Sequence, residues 1–318
     1  MISLKLWRAL SKPPRRHPLF QYVLSNAKRE QPRVTSGFVV WAFMLATALF
    51  IWTVLFQPLM WAILVAFIAL NSVYATRWVV RIARTITRAK ETRRYDLFGA
   101  LPDGLLGTSW ALSTGAMHQR SSFRWVPYLV MMTVISAFIA LCGLTTITLT
   151  LIDELSDTQM AFVQNLDFVR LGISIMPFLA IFYIDHIYSI LTAIVIAQIS
   201  TIDVQDASEA QIRALLGFLS VQILIYTAAL VLVFLSVPAL FRFFGFTEVS
   251  HLVMIGILNI SIFVALREGA IYVLWRGLTQ ALEADSREIA LVIKPFYEAE
   301  AILKESEQAR ARYRDASR

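Results

Sequence analysis

Four ionisable residues interrupt the most apolar stretches of this chain: Asp185 and His186 in one, Arg267 and Glu268 in another. A charge inside hydrocarbon is costly, so such residues pair with one another, face water, or mark a functional site. Carboxylate, imidazole and guanidinium groups together could line a path for a polar solute or take part in a proton-linked step. They could equally lock two helices together. Both readings stand on the sequence alone. Asp185 and His186 are adjacent, and adjacent residues on a helix point about 100° apart. That disfavours them as a joint acid–base pair. Other motifs are missing: the chain has no Gly-x-x-x-x-Gly-Lys-Ser/Thr, no His-Glu-x-x-His and no Gly-x-Ser-x-Gly. His118 and His251 are isolated, and the single cysteine, Cys142, has no partner for a disulfide or a metal pair. The chain therefore reads as carrying no catalytic residue and no metal site.

The elements that must position these charges are long and apolar. Hydrophobic residues make up 58% of the 318 residues, and the mean hydropathy is +0.64. Runs of about 20 apolar residues recur, the length a helix needs to cross a hydrocarbon core of about 30 Å. About six spans are read: Gly37 to Phe56, Leu59 to Thr76, Val126 to Leu151, Val169 to Ile199, Leu215 to Phe241, and His251 to about Leu278. Gln57 and Pro58 alone separate the first two, as in a helical hairpin. Asp185 and Arg267 each fall about 16 residues past the outer start of their span, roughly 24 Å inward at 1.5 Å per residue. Equal depth permits an Asp185–Arg267 ion pair, with His186 and Glu268 near enough in sequence to join it. Asn71, Ser72, Asn259 and Ser261 read as bonds between helices.

Basic residues set the orientation. Lys5, Arg8, Lys12, Arg15, Arg16, Lys28, Arg29 and Arg33 precede the first span, and a second basic group lies between spans two and three. The loop between spans three and four holds Asp153, Glu154, Asp157 and Asp167 and no Lys or Arg. By the positive-inside rule both termini lie in the cytoplasm. The net charge of +7 and pI near 9.7 would point a soluble protein toward nucleic acid. Here the charges flank apolar spans, so the expected partner is anionic lipid and not nucleic acid. No cleavable signal peptide is read in Met1 to Leu10, and the first span is expected to serve as an uncleaved signal.

The expected fold is an all-α membrane protein with an N-terminal interfacial helix, a cytoplasmic coupling-like helix and a charged C-terminal tail. Its parts are residues 1–36, a basic N-terminus; 37–76, a transmembrane hairpin; 77–125, a cytoplasmic segment; 126–280, four further spans; and 281–318, a cytoplasmic tail. In the first part, Pro18 to Leu24 is amphipathic and could lie flat in the inner interface, or be a plain basic flank. Arg77, Arg81, Arg84 and Arg88 recur every three or four residues, which predicts a basic face on a helix continuing span two. Leu105 to Met117 reads as a short helix at the cytoplasmic edge, with a re-entrant segment as the alternative. In the tail, Ile289, Val292, Phe296, Ala299 and Leu303 share helical spacing, interrupted by Pro295; the reading there is a solvated face.

Two stretches stand out within this layout: His17-Pro18-Leu19-Phe20 through Lys28-Arg29-Glu30, and Glu91-Thr92-Arg93-Arg94-Tyr95-Asp96-Leu97-Phe98-Gly99-Ala100-Leu101-Pro102. With them the chain resembles the permease subunits of type-two bacterial ABC exporters. The family's second motif usually carries Gly-Thr where this chain has Arg94-Tyr95, and Leu where it has Phe98. An extracellular gate-like structure between spans five and six is nearly absent, since Phe241 and His251 are close in sequence. The resemblance implies that Glu91, Asp96, Leu97, Phe98, Leu101 and Pro102 dock an ATP-binding subunit. It also implies a second permease chain, as homo- or heterodimer, in a bacterial cytoplasmic membrane. ATP would bind the partner subunit, leaving this chain with no cofactor of its own. A non-transporting membrane scaffold and a stand-alone ion-coupled carrier are the alternatives.

Overall fold

The computed structural model describes residues 1–11, 18–25, 57–92, 104–119, 168–236 and 248–293, with isolated residues between 95 and 146 and at 239. The described residues are almost all helical, with no strand among them. In chain order they form α1 (Ile2–Ser11), α2 (Pro18–Ser25), α3 (Gln57–Glu91), α4 (Gly104–His118), α5 (Phe168–Ser200) and α6 (Ala207–Val231). A short π-helix (Leu232–Ser236) extends α6, and α7 (Glu248–Ala281) and α8 (Ser286–Ile293) follow. Among the described residues three stretches are long and apolar enough to cross a membrane: Leu179–Ser200, Ala207–Val231 and Met254–Ala281. The expected spans at Gly37 to Phe56 and Val126 to Leu151 lie outside the described residues or nearly so, as do the acidic loop and residues 294–318.

Helices α3, α5, α6 and α7 pack into one bundle with α5 at its centre. The burial pattern identifies the centre: 72% of the apolar stretch of α5 is buried, against 22% for α6 and 17% for α7. The outer helices turn Val73, Ile223, Leu224 and Val273 outward, each more than half exposed. Meanwhile Asn71, Asp185, Gln222 and Arg267 are buried. Apolar outside and polar inside is the arrangement of a bundle bathed in lipid, because lipid tails do not drive apolar side chains inward as water does. Close approach helps. A Cβ on Gly256 of α7 would lie 2.6 Å from Pro177 Cγ of α5, so the crossing needs glycine. Pro177 also leaves the carbonyl of Ile173 without its helical donor.

Helix α3 runs unbroken for 35 residues. At 1.5 Å per residue it is about 52 Å long, about 20 Å more than a hydrocarbon core. The continuation predicted for span two is thus a single helix, with Ile82, Ala83 and Ile86 buried and Arg84 and Arg88 exposed. Its end is fastened. Lys90 Nζ donates to the carbonyls of Thr201 and Ile202, which close the turn between α5 and α6. Helix α6 starts eight residues before the expected Leu215, because Asp206 caps it by accepting from the amides of Ser208 and Glu209 at 3.2 and 3.4 Å. These bonds, that from the Ser208 side chain foremost, hold the Asp206 carboxyl below its ordinary pKa.

The short helices build a second layer around the end of α5. Leu105 to Met117 is the expected short helix, and it is not an exposed one: α4 is buried from Leu106 to His118 except Gly107 and touches α2, α3, α5 and α8. Its small residues let neighbours close in on every side, and its hydroxyls bond inside the helix, as Ser113 to the Ser109 carbonyl at 2.7 Å. The apolar face of α2 meets this helix: Phe20 and Val23 are buried, and Phe20 packs edge-on to His118. The first turns of the tail are not a solvated face either, since Val292 of α8 is buried and Ile289 packs on the core. Gly104 opens α4 at φ +66°, where a Cβ would collide with the Glu288 carboxylate of α8.

Candidate functional site

The polar centre is assembled from one or two residues on each of the four long helices. From α5, Asp185 and His186 are 0% and 1% exposed. Helix α7 supplies Arg267, also 0% exposed. Asn71 and Ser72 come from α3 and Tyr226 from α6. Arg267 Nη2 donates to Asp185 Oδ1 in an ion pair closed off from solvent. The Tyr226 hydroxyl donates to the same carboxylate at 3.1 Å, and Asn71 Nδ2 reaches it at 3.4 Å. Ser72 Oγ in turn donates to the Tyr226 hydroxyl at 3.1 Å. His186 Nδ1 donates to Asn71 Oδ1 at 3.2 Å, and the imidazole stacks on Tyr74 with ring centroids 5.5 Å apart. The guanidinium carbon of Arg267 lies 5.0 Å from the Tyr226 ring centroid and 5.4 Å from that of Phe263. Aromatic faces thus cushion a cation that has lost its water.

Helix geometry explains which residues share the site. On α5, Asp185 and Ser189 are one turn apart on one face; on α6, so are Gln222 and Tyr226. Running antiparallel, they form two rungs: Asp185 with Tyr226, and Ser189 with Gln222 at 3.3 Å. Some buried polar atoms have no partner among the described residues, including Arg267 Nε and Nη1, His186 Nε2 and Thr192 Oγ1. The centre therefore keeps donor and acceptor capacity beyond the ion pair.

Glu268 does not join it. One residue further along α7, its side chain points to a different neighbour and accepts from the Ile2 and Ser3 amides, the Ser3 hydroxyl and the Tyr188 hydroxyl. A carboxylate at the first turn of α1 meets the positive end of that helix. The four charges singled out in the sequence thus split into two sites: Asp185, His186 and Arg267 together, and Glu268 as the anchor of α1. Of the docking residues implied by resemblance, Glu91 is the exposed last residue of α3. Asp96, Leu97, Phe98, Leu101 and Pro102 lie outside the described residues. Sequence reasoning passed over Tyr226 and the anchoring of α1. Tyr226 and Gln222, four residues apart in an apolar run, were a readable signal; for Ser3 there was none. Among the described residues no three His, Cys, Asp or Glu side chains gather to hold a metal ion.

The fold and this site define the class: an all-helical membrane protein whose bundle encloses a charged, hydrogen-bonded centre. Comparison with known proteins adds no family, since no family model, curated protein or solved structure matches the chain.

Proposed function

We propose that this chain is the membrane-embedded permease subunit of an ATP-driven transporter of the type-two ABC exporter kind. It sits in a bacterial cytoplasmic membrane with both termini inside. It carries no ATPase of its own. A separate ATP-binding subunit docks on Glu91 to Pro102, and a second permease chain, identical or related, completes the path. The observation that supports this reading is α3. One uninterrupted helix begins in apolar sequence, contributes Asn71 to the polar centre, and ends at Glu91, where the coupling-like segment starts. Lys90 ties that end to the turn between α5 and α6. A push on the segment after Glu91 would reach α3 and α5 together, and with them the Asp185–Arg267 pair.

The test is affinity purification of the chain from its native membrane in mild detergent, with cross-linking and quantitative mass spectrometry. A stoichiometric ATP-binding protein, lost when Asp96, Leu97 and Leu101 are replaced by alanine, is the expected result. Repeated preparations without an ATPase would refute the reading. The polar centre favours one competitor specifically, a stand-alone ion-coupled carrier, because its buried charges keep unpartnered nitrogen atoms. Substrate flux in vesicles containing this chain alone would select it, and a chain with neither ATPase nor flux would be a scaffold.

A further inference from the structure

A cleft of about 720 Å³ runs along α3 from Tyr74, whose ring also stacks on His186 of the polar centre. Arg77, Arg81, Arg84 and Arg88 line it, and no carboxylate does among the described residues. Steps of four, three and four residues put the arginines in one stripe, about 16 Å long at 1.5 Å per residue. Like charges one turn apart repel each other, so such a stripe is stabilised when an anion lies along it. Two of the four are bonded to side chains across the cleft, Arg84 Nη2 to Gln211 Oε1 of α6 at 3.0 Å in an exposed contact, and Arg81 more firmly. Arg81 Nη2 donates to Gln119 Oε1 at 2.6 Å, and its guanidinium sits 5.9 Å over the Trp78 ring. Gln119 Nε2 is itself fixed to the Val23 carbonyl of α2 at 2.6 Å. A preorganised guanidinium binds an oxyanion at less entropic cost than a free one.

The depth of the cleft identifies its ligand. Tyr74 and Trp78 line the end nearest the apolar half of α3, in edge-to-face contact at 5.9 Å. Just beyond them Leu70 and Val73 are exposed, at 58% and 55%. The exposed face of the helix therefore changes from apolar at Leu70 and Val73 to basic at Arg77 within about two turns, over the half-buried Tyr74 and the buried Trp78, and a change from apolar to basic is what the headgroup level demands. Guanidinium forks match the oxygens of phosphate. We propose that this cleft is a binding site for the phosphate of an anionic phospholipid, seated between the Tyr74–Trp78 end and the arginine stripe. Among the described residues the site is lined by α3 and Gln119, with Gln211 of α6 bonded to Arg84, and it stands whether or not an ATPase docks beyond Glu91.

The test is native mass spectrometry of the full chain in detergent, titrated separately with phosphatidylglycerol, phosphatidylcholine and inorganic pyrophosphate. Wild type is expected to retain one phosphatidylglycerol in preference to phosphatidylcholine. Arg84→Gln/Arg88→Gln changes two exposed side chains, so folding survives; it should cut retention about tenfold, as expected for lost charge-assisted bonds. Arg77→Gln/Arg81→Gln should do at least as much. Arg213→Gln/Arg276→Gln removes two exposed arginines outside the cleft and should change nothing. Equal retention of phosphatidylcholine would overturn the proposal. So would an equal loss in the control variant, which would mean diffuse surface charge. Saturable pyrophosphate binding without lipid binding would replace the lipid headgroup by a free phosphate as the occupant.

Discussion

Breaking the Asp185–Arg267 pair should cost far more from one side than from both. Both side chains are 0% exposed, so removing either leaves the other charge buried. Losing one partner of a buried pair costs about 3–5 kcal/mol, whereas replacing both by neutral groups of similar size is close to neutral. The structure predicts which single change is worse. In Arg267→Met the remaining Asp185 keeps its bonds from Tyr226 and Asn71, and a lone carboxyl can be neutralised by binding a proton. In Asp185→Asn the guanidinium cannot lose its charge. It is left with two ring faces and with nitrogens that already lack partners. Arg267→Met should therefore fall near 3 kcal/mol and Asp185→Asn near 5 kcal/mol, on the order of the range for broken buried pairs. Asp185→Asn/Arg267→Met should lie within about 1 kcal/mol of wild type, giving a coupling of about 7 kcal/mol. Reversible unfolding in mixed micelles, followed by tryptophan fluorescence, measures all four corners of the cycle. A double variant equal to the sum of its singles within about 0.5 kcal/mol would refute the reasoning. A reversed order of the singles would refute the asymmetry alone.

Three further outcomes follow from other contacts. Glu268→Gln should loosen α1 by about 1 kcal/mol, the scale of a charge at a helix N-terminus, read as faster amide exchange across Ile2–Ser11 with α7 unchanged. Gly104→Ala should destabilise the α4–α8 contact by about 1–3 kcal/mol, because φ +66° strains any side chain and the new Cβ meets Glu288; Glu288→Ala in the same background should recover part of the loss in a thermal melt. The start of α6 should respond to acid alone. Asp206 is held below its ordinary 3.8, so its contribution is complete above that value and fades as pH falls through the lower folded one. Protection of the Ser208 and Glu209 amides relative to the rest of α6 should be steady from pH 7 to about 5, fall only below about pH 4, and lose that response in Asp206→Asn.

Much of the bundle was legible because membrane helices announce themselves by length. The runs around Asp185 and Arg267 became α5 and α7, and the helical rise placed the two charges at one level before any packing was known. What run length cannot convey is where a helix continues after it leaves lipid. The polar turns of Ala207–Ala214, with Glu209, Gln211 and Arg213, ended the apolar run without ending the helix. Asp206 followed three residues later by Glu209 was the signature of that start. Direction around the axis was also hidden. Arg267 and Glu268 are adjacent in sequence yet serve two sites, and only the packing of α1 against α7 shows it. The surroundings of helix α4 were hidden for a third reason: a run of Gly, Ala, Ser and Thr is too weakly patterned to show how many neighbours close around it.

The division between the two layers bears on how the molecule could move. In the membrane layer, α5 is enclosed by α3, α6 and α7, and the contacts that cross between helices are polar and directional. At the other end the same helix is gripped by α4 and α1, with Gln198 Nε2 donating to Ser113 Oγ at 2.9 Å and Glu268 clasping the start of α1. Helix α3 spans both layers, bound to the first through Asn71 and to the second through Lys90. A shift of its far end by even a fraction of a helical turn would change the geometry at Asn71, whose amide bonds both Asp185 and His186. Close-packed interiors respond to such shifts by switching between arrangements and not by bending smoothly. The place to look for that switch is the Asn71 amide, because it joins α3 by hydrogen bonds to both Asp185 and His186 of α5.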